Sequence, residues 1–355
     1  SQKIRDVYVG YITRMHQQLG DAPDVAAAKA RTILAMEAEL AAQRLKPLQL
    51  YEPALIYNLL SVDEAQALIP ALDLRAMAVA AGLMLPDRVQ VYDIGAAKAT
   101  QRLLASRPAQ DVQTLLRWWV LALNADLLGQ PWFQLSQDYQ RQRDGLTQTM
   151  PLERQAVKAI AIQLYHPLAQ LYVKVHFPDD TRREITRMVG HVKDEFARRL
   201  RANPWLDAPT RAAALDKLAK VDIQVGYPQR WVDFSGVEIR ADDHLGNNQR
   251  IAAFNLQREL AKVGRPVVVE RFADPLYTSP IAVNAAYNPQ VNGIDITAAI
   301  AQPPFYLPGA DMAVNYCTMG AVIGHELTHG FDSNGRQYDA SGNVRDWWTP
   351  KATAD

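Results

Sequence analysis

The sequence predicts a mainly α-helical protein with a small β-sheet, and three observations carry that expectation. From residue 1 to about 225, apolar residues recur at steps of three and four among Ala, Leu, Gln and Arg, with few β-branched runs. After about residue 230 the composition turns to short β-branched runs set off by proline and glycine. At 355 residues the chain also exceeds the size at which single cores usually stop growing, so two domains are expected. We draw the boundary near 245, with residues 1–245 helical and 246–355 holding the sheet and the metal motif described below.

Each element follows from local pattern. In "REITRMVGHVKDEFARRL" the residues Ile185, Met188, Val189, Val192, Phe196 and Leu200 fall on one helical face. In "TRAAALDKLAKV" the stripe is Leu215, Leu218 and Val221, with Asp207 and Thr210 as candidate caps, before "GYP" breaks the chain. The runs "VEIR", "RPVVVERF", "SPIAVNAAYN" and "GIDITAAI" read as short strands. Beyond the Pro-rich "QPPFYLPGAD", the stretch from about Met312 to Phe331 reads as one helix despite Gly320 and Gly324. The pairs Trp118-Trp119 and Trp347-Trp348 read as packing residues.

Bulk properties exclude several classes. Lys+Arg and Asp+Glu both total 38, so the neutral formal charge favours neither nucleic acid nor an anionic membrane surface as partner. The single cysteine, Cys317, excludes an internal disulfide and reads as a small buried apolar residue. No run approaches eighteen uncharged apolar residues; "AMAVAAGLMLP" is short and flanked by Arg75 and Asp87. The opening "SQKIRDVYVG" has neither an initiator Met nor a charged-then-apolar leader, so the chain is expected to be a piece of a longer polypeptide.

Chemistry concentrates in "AVIGHELTHGFDSNG", residues 321–335. On a helix His325 and His329 are four apart, so both imidazoles leave one face and can share a Zn²⁺ at about 2.0–2.1 Å. Glu326, one step round, can serve as general base toward a water made acidic by the metal. Asp332 admits two readings: a carboxylate that accepts the free N–H of a ligand imidazole, or the opening residue of the turn "DSNG". An extended His-Glu-x-x-His-x-x-Gly-x-x-His pattern is excluded, because Asp332 and Gly335 stand where Gly and His are required. The remaining common solution takes a Glu from a separate helix further along, and no His or Glu follows His329 in this chain. His166, His176, His191 and His244 lack ligand spacing and read as surface or satisfied groups.

Several motifs agree in order and spacing with one family. "VNAAYNPQVNGIDITAAIAQPPFY" followed by "VIGHELTHGFDSNGRQYDASGNVRDWWT", with "YNLLSVDE" and "VGYP" upstream, resembles the neprilysin (M13) family of zinc endopeptidases, whose bacterial members include oligopeptidase O. The resemblance implies a helical cap domain over a thermolysin-like (gluzincin) catalytic domain with a small β-sheet, enclosing a cavity that admits oligopeptides and cuts them on the amino side of hydrophobic residues. It implies His325 and His329 as zinc ligands, Glu326 as catalytic base and Asp332 as partner of His325. Asn284 and Ala285 fall on the family's substrate-holding element; alone they read as an interior strand with an Asn at a turn. Ile300, Phe305 and Val322 fall on positions lining its apolar pocket; alone each reads as core.

The sequence also departs from the family. Ser333 replaces the usual second Asp, Thr297 stands where Pro is common, and the cysteines of animal members are absent, which points to a bacterial-type enzyme exported to the periplasm or cell envelope. The family's third ligand, a Glu in a Glu-x-x-x-Asp helix, and its transition-state His and Arg are expected in a C-terminal segment beyond Asp355. Arginines that bind the far end of the substrate are expected before Ser1. The alternative function is a peptide- and zinc-binding chain without hydrolysis.

Overall fold

A computed structural model describes residues 2–354, and these divide into two compact units: 2–152 with 237–265, and 153–236 with 266–354. The boundary expected at 245 falls inside the helix His244–Leu260. The helices between 153 and 220 look like the first half by composition, yet they share a unit with the sheet and the motif. Composition reports which element a stretch forms, whereas units form according to which apolar faces cover one another.

The first unit is built on the helices Gln2–Gln18, Pro23–Ala41, Ile94–Ser106, Ala109–Asn124 and Gln130–Asp144. Tyr11, Ile12, Met15, Ile33, Met36, Leu115 and Trp118 form its core. Trp118 is the buried packing residue expected and donates from Nε1 to the Tyr8 hydroxyl at 3.0 Å. Trp119 lies one step round the helix and is exposed, with its indole N–H on Glu37 at 3.0 Å. In "YNLLSVDE", Leu59–Ser61 pairs antiparallel with Arg88–Gln90, and Ser61 and Glu64 form a reciprocal capping box for the next helix.

In the second unit the long helix Asp179–Ala202 buries Ile185, Met188 and Val189, with Val192, Phe196 and Leu200 packed against the same cluster. The helix Ala208–Lys220 is capped by Asp207, whose Oδ1 accepts from the Thr210 N–H at 2.9 Å. Its buried stripe is Ala214, Lys217 and Leu218, with Leu215 only half-buried. A three-stranded sheet follows in the order Asp222–Gly226, Gly293–Thr297, Ala285–Asn288. The first pair is parallel and the second antiparallel, with Ile223 opposite Ile294 and Tyr287 opposite Ile294 on the other side. Every residue of the central strand is buried, so neither of its faces is wet even though Ile294 and Ile296 alternate with Asp295 and Thr297. Its Asp295 is buried and accepts from Arg271 Nε at 2.8 Å and from the Phe272 N–H at 2.9 Å. Burial raises the Asp295 carboxyl above its ordinary range, and the Arg271 guanidinium opposes that rise.

Several expectations change. "VEIR" and "RPVVVERF" are not strands, and Val267 and Val268 are 91% and 75% exposed. β-branched residues favour extended backbone, but a strand exists only where a neighbouring edge takes its hydrogen bonds. Asp222–Gly226 supplies a strand where a helix end was expected, because it pairs with Gly293–Thr297. The predicted helix over 312–331 is two pieces, Met312–Cys317 and Met319–His329, broken at Thr318 with φ −103° and ψ −82°. Cys317, at the end of the first piece, is exposed rather than buried.

Gly226 ends its strand with φ +89°, and a Cβ there would lie 2.2 Å from the Phe177 ring. Both the left-handed backbone and the ring exclude a side chain. Gly226→Ala is therefore expected to lower stability by about 1–3 kcal/mol, read as a lower urea midpoint at unchanged slope. An unchanged midpoint would show that the ring and strand end yield freely.

Candidate metal centre

The helix Met319–His329 buries Met319, Ile323, Glu326 and Leu327, which recur at steps of three and four on one face. Glu326 thus lies on the apolar stripe, while His325 and His329 leave an adjacent face. Their Nε2 atoms are 3.1 Å apart, and their rings meet edge to face. Two ligands about 2.0–2.1 Å from a tetrahedral zinc would be about 3.3 Å apart, so this donor pair fits the metal. Glu326 Oε1 is 4.0 Å from His325 Nε2. Together the three side chains are the candidate metal cluster among the described residues.

Glu326 is 7% exposed and needs a partner for its oxygens. The Tyr287 backbone N–H donates to Oε2 at 3.0 Å. Tyr287 lies in the edge strand Ala285–Asn288, and its N–H is directed away from the central strand toward the motif helix. Burial raises the Glu326 carboxyl above the ordinary range, while His329, His325 and the Tyr287 N–H pull it down. The outcome is a carboxylate with increased proton affinity beside two imidazoles.

Asp332 serves both purposes left open by its sequence. Oδ1 accepts from the N–H groups of Asn334 at 2.9 Å and Gly335 at 2.7 Å, which closes the turn after the helix. Oδ2 lies 2.9 Å from His329 Nδ1, so the ring it orients is that of His329 rather than His325. Asp332 lies in the turn just past the helix end at His329, so its carboxylate folds back onto the last imidazole rather than onto His325 one turn earlier. With Nδ1 held by the carboxylate, His329 presents Nε2 to a metal. Burial pushes the Asp332 carboxyl up, but the Gly335 N–H, the His329 ring and the Asn334 N–H together hold it below its usual range. Gly335 allows the turn to fold back, since a Cβ there would meet the His329 carbonyl oxygen at 1.9 Å.

The other predicted residues lie in the sheet and the core beside the motif helix. Ala285 is buried and opposite Ile296 in the sheet. Asn284 precedes it; its side-chain amide donates to the Tyr277 carbonyl at 3.0 Å, and its own carbonyl accepts from Thr297 Oγ1 at 2.7 Å. Ile300 is buried and Phe305 and Val322 are half-buried, all within the cluster that contains Ile323 and Leu327. Val322 sits one turn before His325. Sequence reasoning missed Tyr287, whose backbone rather than side chain meets Glu326. It also missed Lys217, whose position on the stripe with Ala214, Leu218 and Val221 was the available signal.

Comparison with known proteins places the chain in a family. Two models described as peptidase family M13 match residues 1–228 and 284–355. Neprilysin-11 of Caenorhabditis elegans is 33% identical over 240 residues, covering 65% of this chain and 28% of its own length. Endothelin-converting enzyme-like 1 of Rattus norvegicus is 27% identical over 365 residues, covering 98% of this chain and 46% of its own. Among solved structures, the inhibitor complex of the Mycobacterium tuberculosis zinc metalloprotease Zmp1 superposes with a TM-score of 0.92 at 32% identity, over 99% of this chain and 53% of that one. The chain thus spans about half, or less, of the length of these relatives. With its family models, its fold and its His-Glu-x-x-His helix in agreement, the chain belongs to peptidase family M13.

Proposed function

We propose that the protein is a zinc-dependent endopeptidase that hydrolyses oligopeptides on the amino side of hydrophobic residues. The observation that carries this reading is the pair of imidazole Nε2 atoms 3.1 Å apart beside the buried Glu326. His325 and His329 would hold the metal, and a Glu from a C-terminal segment of the polypeptide would complete the ligand set. When bound, zinc supplies Lewis acidity, making water acidic near neutral pH and drawing charge from a peptide carbonyl. Glu326 takes the proton from the attacking water on its carboxylate and passes it to the leaving amine. Its raised proton affinity suits both halves of that transfer. The Tyr287 N–H holds Oε2, which leaves Oε1 on the side facing His325.

The edge strand supports the substrate assignment. Asn284 turns its carbonyl toward Thr297, so by the two-residue period of a strand Ala285 and Tyr287 turn their backbone groups to the opposite side, where the Tyr287 N–H meets Glu326. A peptide added there as a further strand would meet Ala285, with Asn284 before it. Ile300, Phe305 and Val322 would receive its apolar side chain. The second unit carries the chemistry in this reading. Export to the bacterial periplasm or cell envelope is part of the same proposal. Among the described residues no helix is long and apolar enough to cross a membrane.

Peptide and zinc binding without hydrolysis is the second reading, which needs only the two imidazoles and the Glu326 carboxylate that cluster among the described residues. Cleavage of an internally quenched apolar peptide by the polypeptide in the length its gene encodes separates the two. Activity abolished by a chelator and restored by zinc supports the first reading; stoichiometric zinc without cleavage supports the second. Glu326→Gln is expected to keep zinc and lose about 10²–10⁴-fold in kcat. Near-normal turnover in that variant would remove Glu326 from the role of base. Asp332→Ala is expected to weaken zinc binding about 10–100-fold, measured by competition with a chelator. Unchanged affinity would mean that the His329 ring is oriented without it.

A further inference from the structure

Lys217 is 1% exposed, and its ammonium donates to the carbonyls of Gly335 and Tyr338, each at 2.7 Å. The rings of Tyr287, Phe331 and Trp347 surround it at 5.6–5.9 Å. The Lys217 backbone carbonyl accepts from Asn292 Nδ2 at 3.0 Å, and Asn292 Oδ1 accepts from the Tyr287 hydroxyl at 3.0 Å. Asn292 Nδ2 also donates to the Ala340 carbonyl at 3.2 Å. Asn292 is itself buried and adopts a left-handed φ of 45°, a conformation that Asn tolerates better than most residues. One polar knot therefore joins the helix Ala208–Lys220, the edge strand and the turn after the motif helix.

An ammonium is a costly way to fill this space. Burial lowers the Lys217 pKa to about 8, against the opposing pull of Asp339 and Asp332. A methionine would occupy a similar volume without that penalty, and replacing buried charge by apolar packing is often neutral or stabilising. What methionine cannot do is hold two carbonyls at fixed points. Those carbonyls belong to the turn that starts at Asp332, the residue on His329 Nδ1. Through Asn292 the same knot fixes the Tyr287 ring, and the Tyr287 N–H is the group on Glu326.

We propose that Lys217 and Asn292 are positioning residues of the metal centre, holding the Tyr287 N–H on Glu326 and the turn of Asp332 on His329. The proposal rests on the metallopeptidase reading for its consequences in zinc binding, but not for its geometry. Lys217→Met removes the two donors and keeps the volume; Tyr287→Phe removes only the hydroxyl link to Asn292. Ile185→Ala, a cavity in the same core on the long helix, is the control, with temperatures adjusted to equal distance below each midpoint. Two quantities are measured on the full polypeptide: zinc release into excess chelator, and amide exchange of the Tyr287 segment in metal-free protein.

For Lys217→Met both are expected to accelerate about tenfold or more relative to the control, with Tyr287→Phe shifted in the same direction. If Lys217→Met does not fold, Tyr287→Phe decides by the same comparison. Rates matching the control in the folded variants would reduce the knot to ordinary core packing and overturn the proposal. A wild type that holds no zinc sinks the metallopeptidase reading alone, because exchange at Tyr287 is read without metal.

Discussion

The hydrogen bond from the Tyr287 N–H to Glu326 joins the sheet of the second unit to its motif helix, and much of the local architecture follows from it. A carboxylate on the apolar stripe of a helix has lost most of its water, and an unpartnered one would be expelled or neutralised. The edge strand Ala285–Asn288 supplies the missing donor because an edge has backbone groups that its own sheet does not use. The helix must therefore lie against that edge, and the strand must keep a register that presents residue 287 outward. A slip of one residue would exchange Tyr287 for a neighbour whose N–H faces the central strand.

The same unit repeats this use of buried polar groups. Asp295 in the middle of the sheet is matched by Arg271 and the Phe272 N–H, and Lys217 under the motif turn is matched by two carbonyls. Each group costs free energy to bury and recovers it only if its partners stand at one distance and direction. Apolar contacts around Ile294, Ile296 and Leu327 tolerate small shifts, but these polar contacts do not. They confine the segments that carry Glu326 and Asp332 to one arrangement, which keeps two imidazoles and a carboxylate within a few ångströms of one another.

Much of this was legible in residues close together in sequence. The helical stripe of Ile185, Met188 and Val189, the cap at Asp207 and the pair His325–His329 all depend on periodicity or on neighbours within a turn. The misreadings have a common cause. Val267 and Val268 have strand propensity but no edge to join, while Asp222–Gly226 became a strand because a partner some seventy residues away was available. The break at Thr318 and the exposure of Cys317 likewise depend on how the two short helices meet the rest of the unit.

The sequence by itself determined the arrangement of the candidate metal centre: a spacing of four puts two imidazoles on one face of any α-helix, with Glu326 one step round, and the chain matches peptidase family M13. Tertiary structure alone decided which imidazole Asp332 holds, which N–H meets Glu326, and that Lys217 lies beneath the turn. Helical geometry is a property of consecutive residues and can be read from their order. The environment of a carboxylate or an ammonium depends on distant segments folding onto it, and their approach is set by packing across the whole unit.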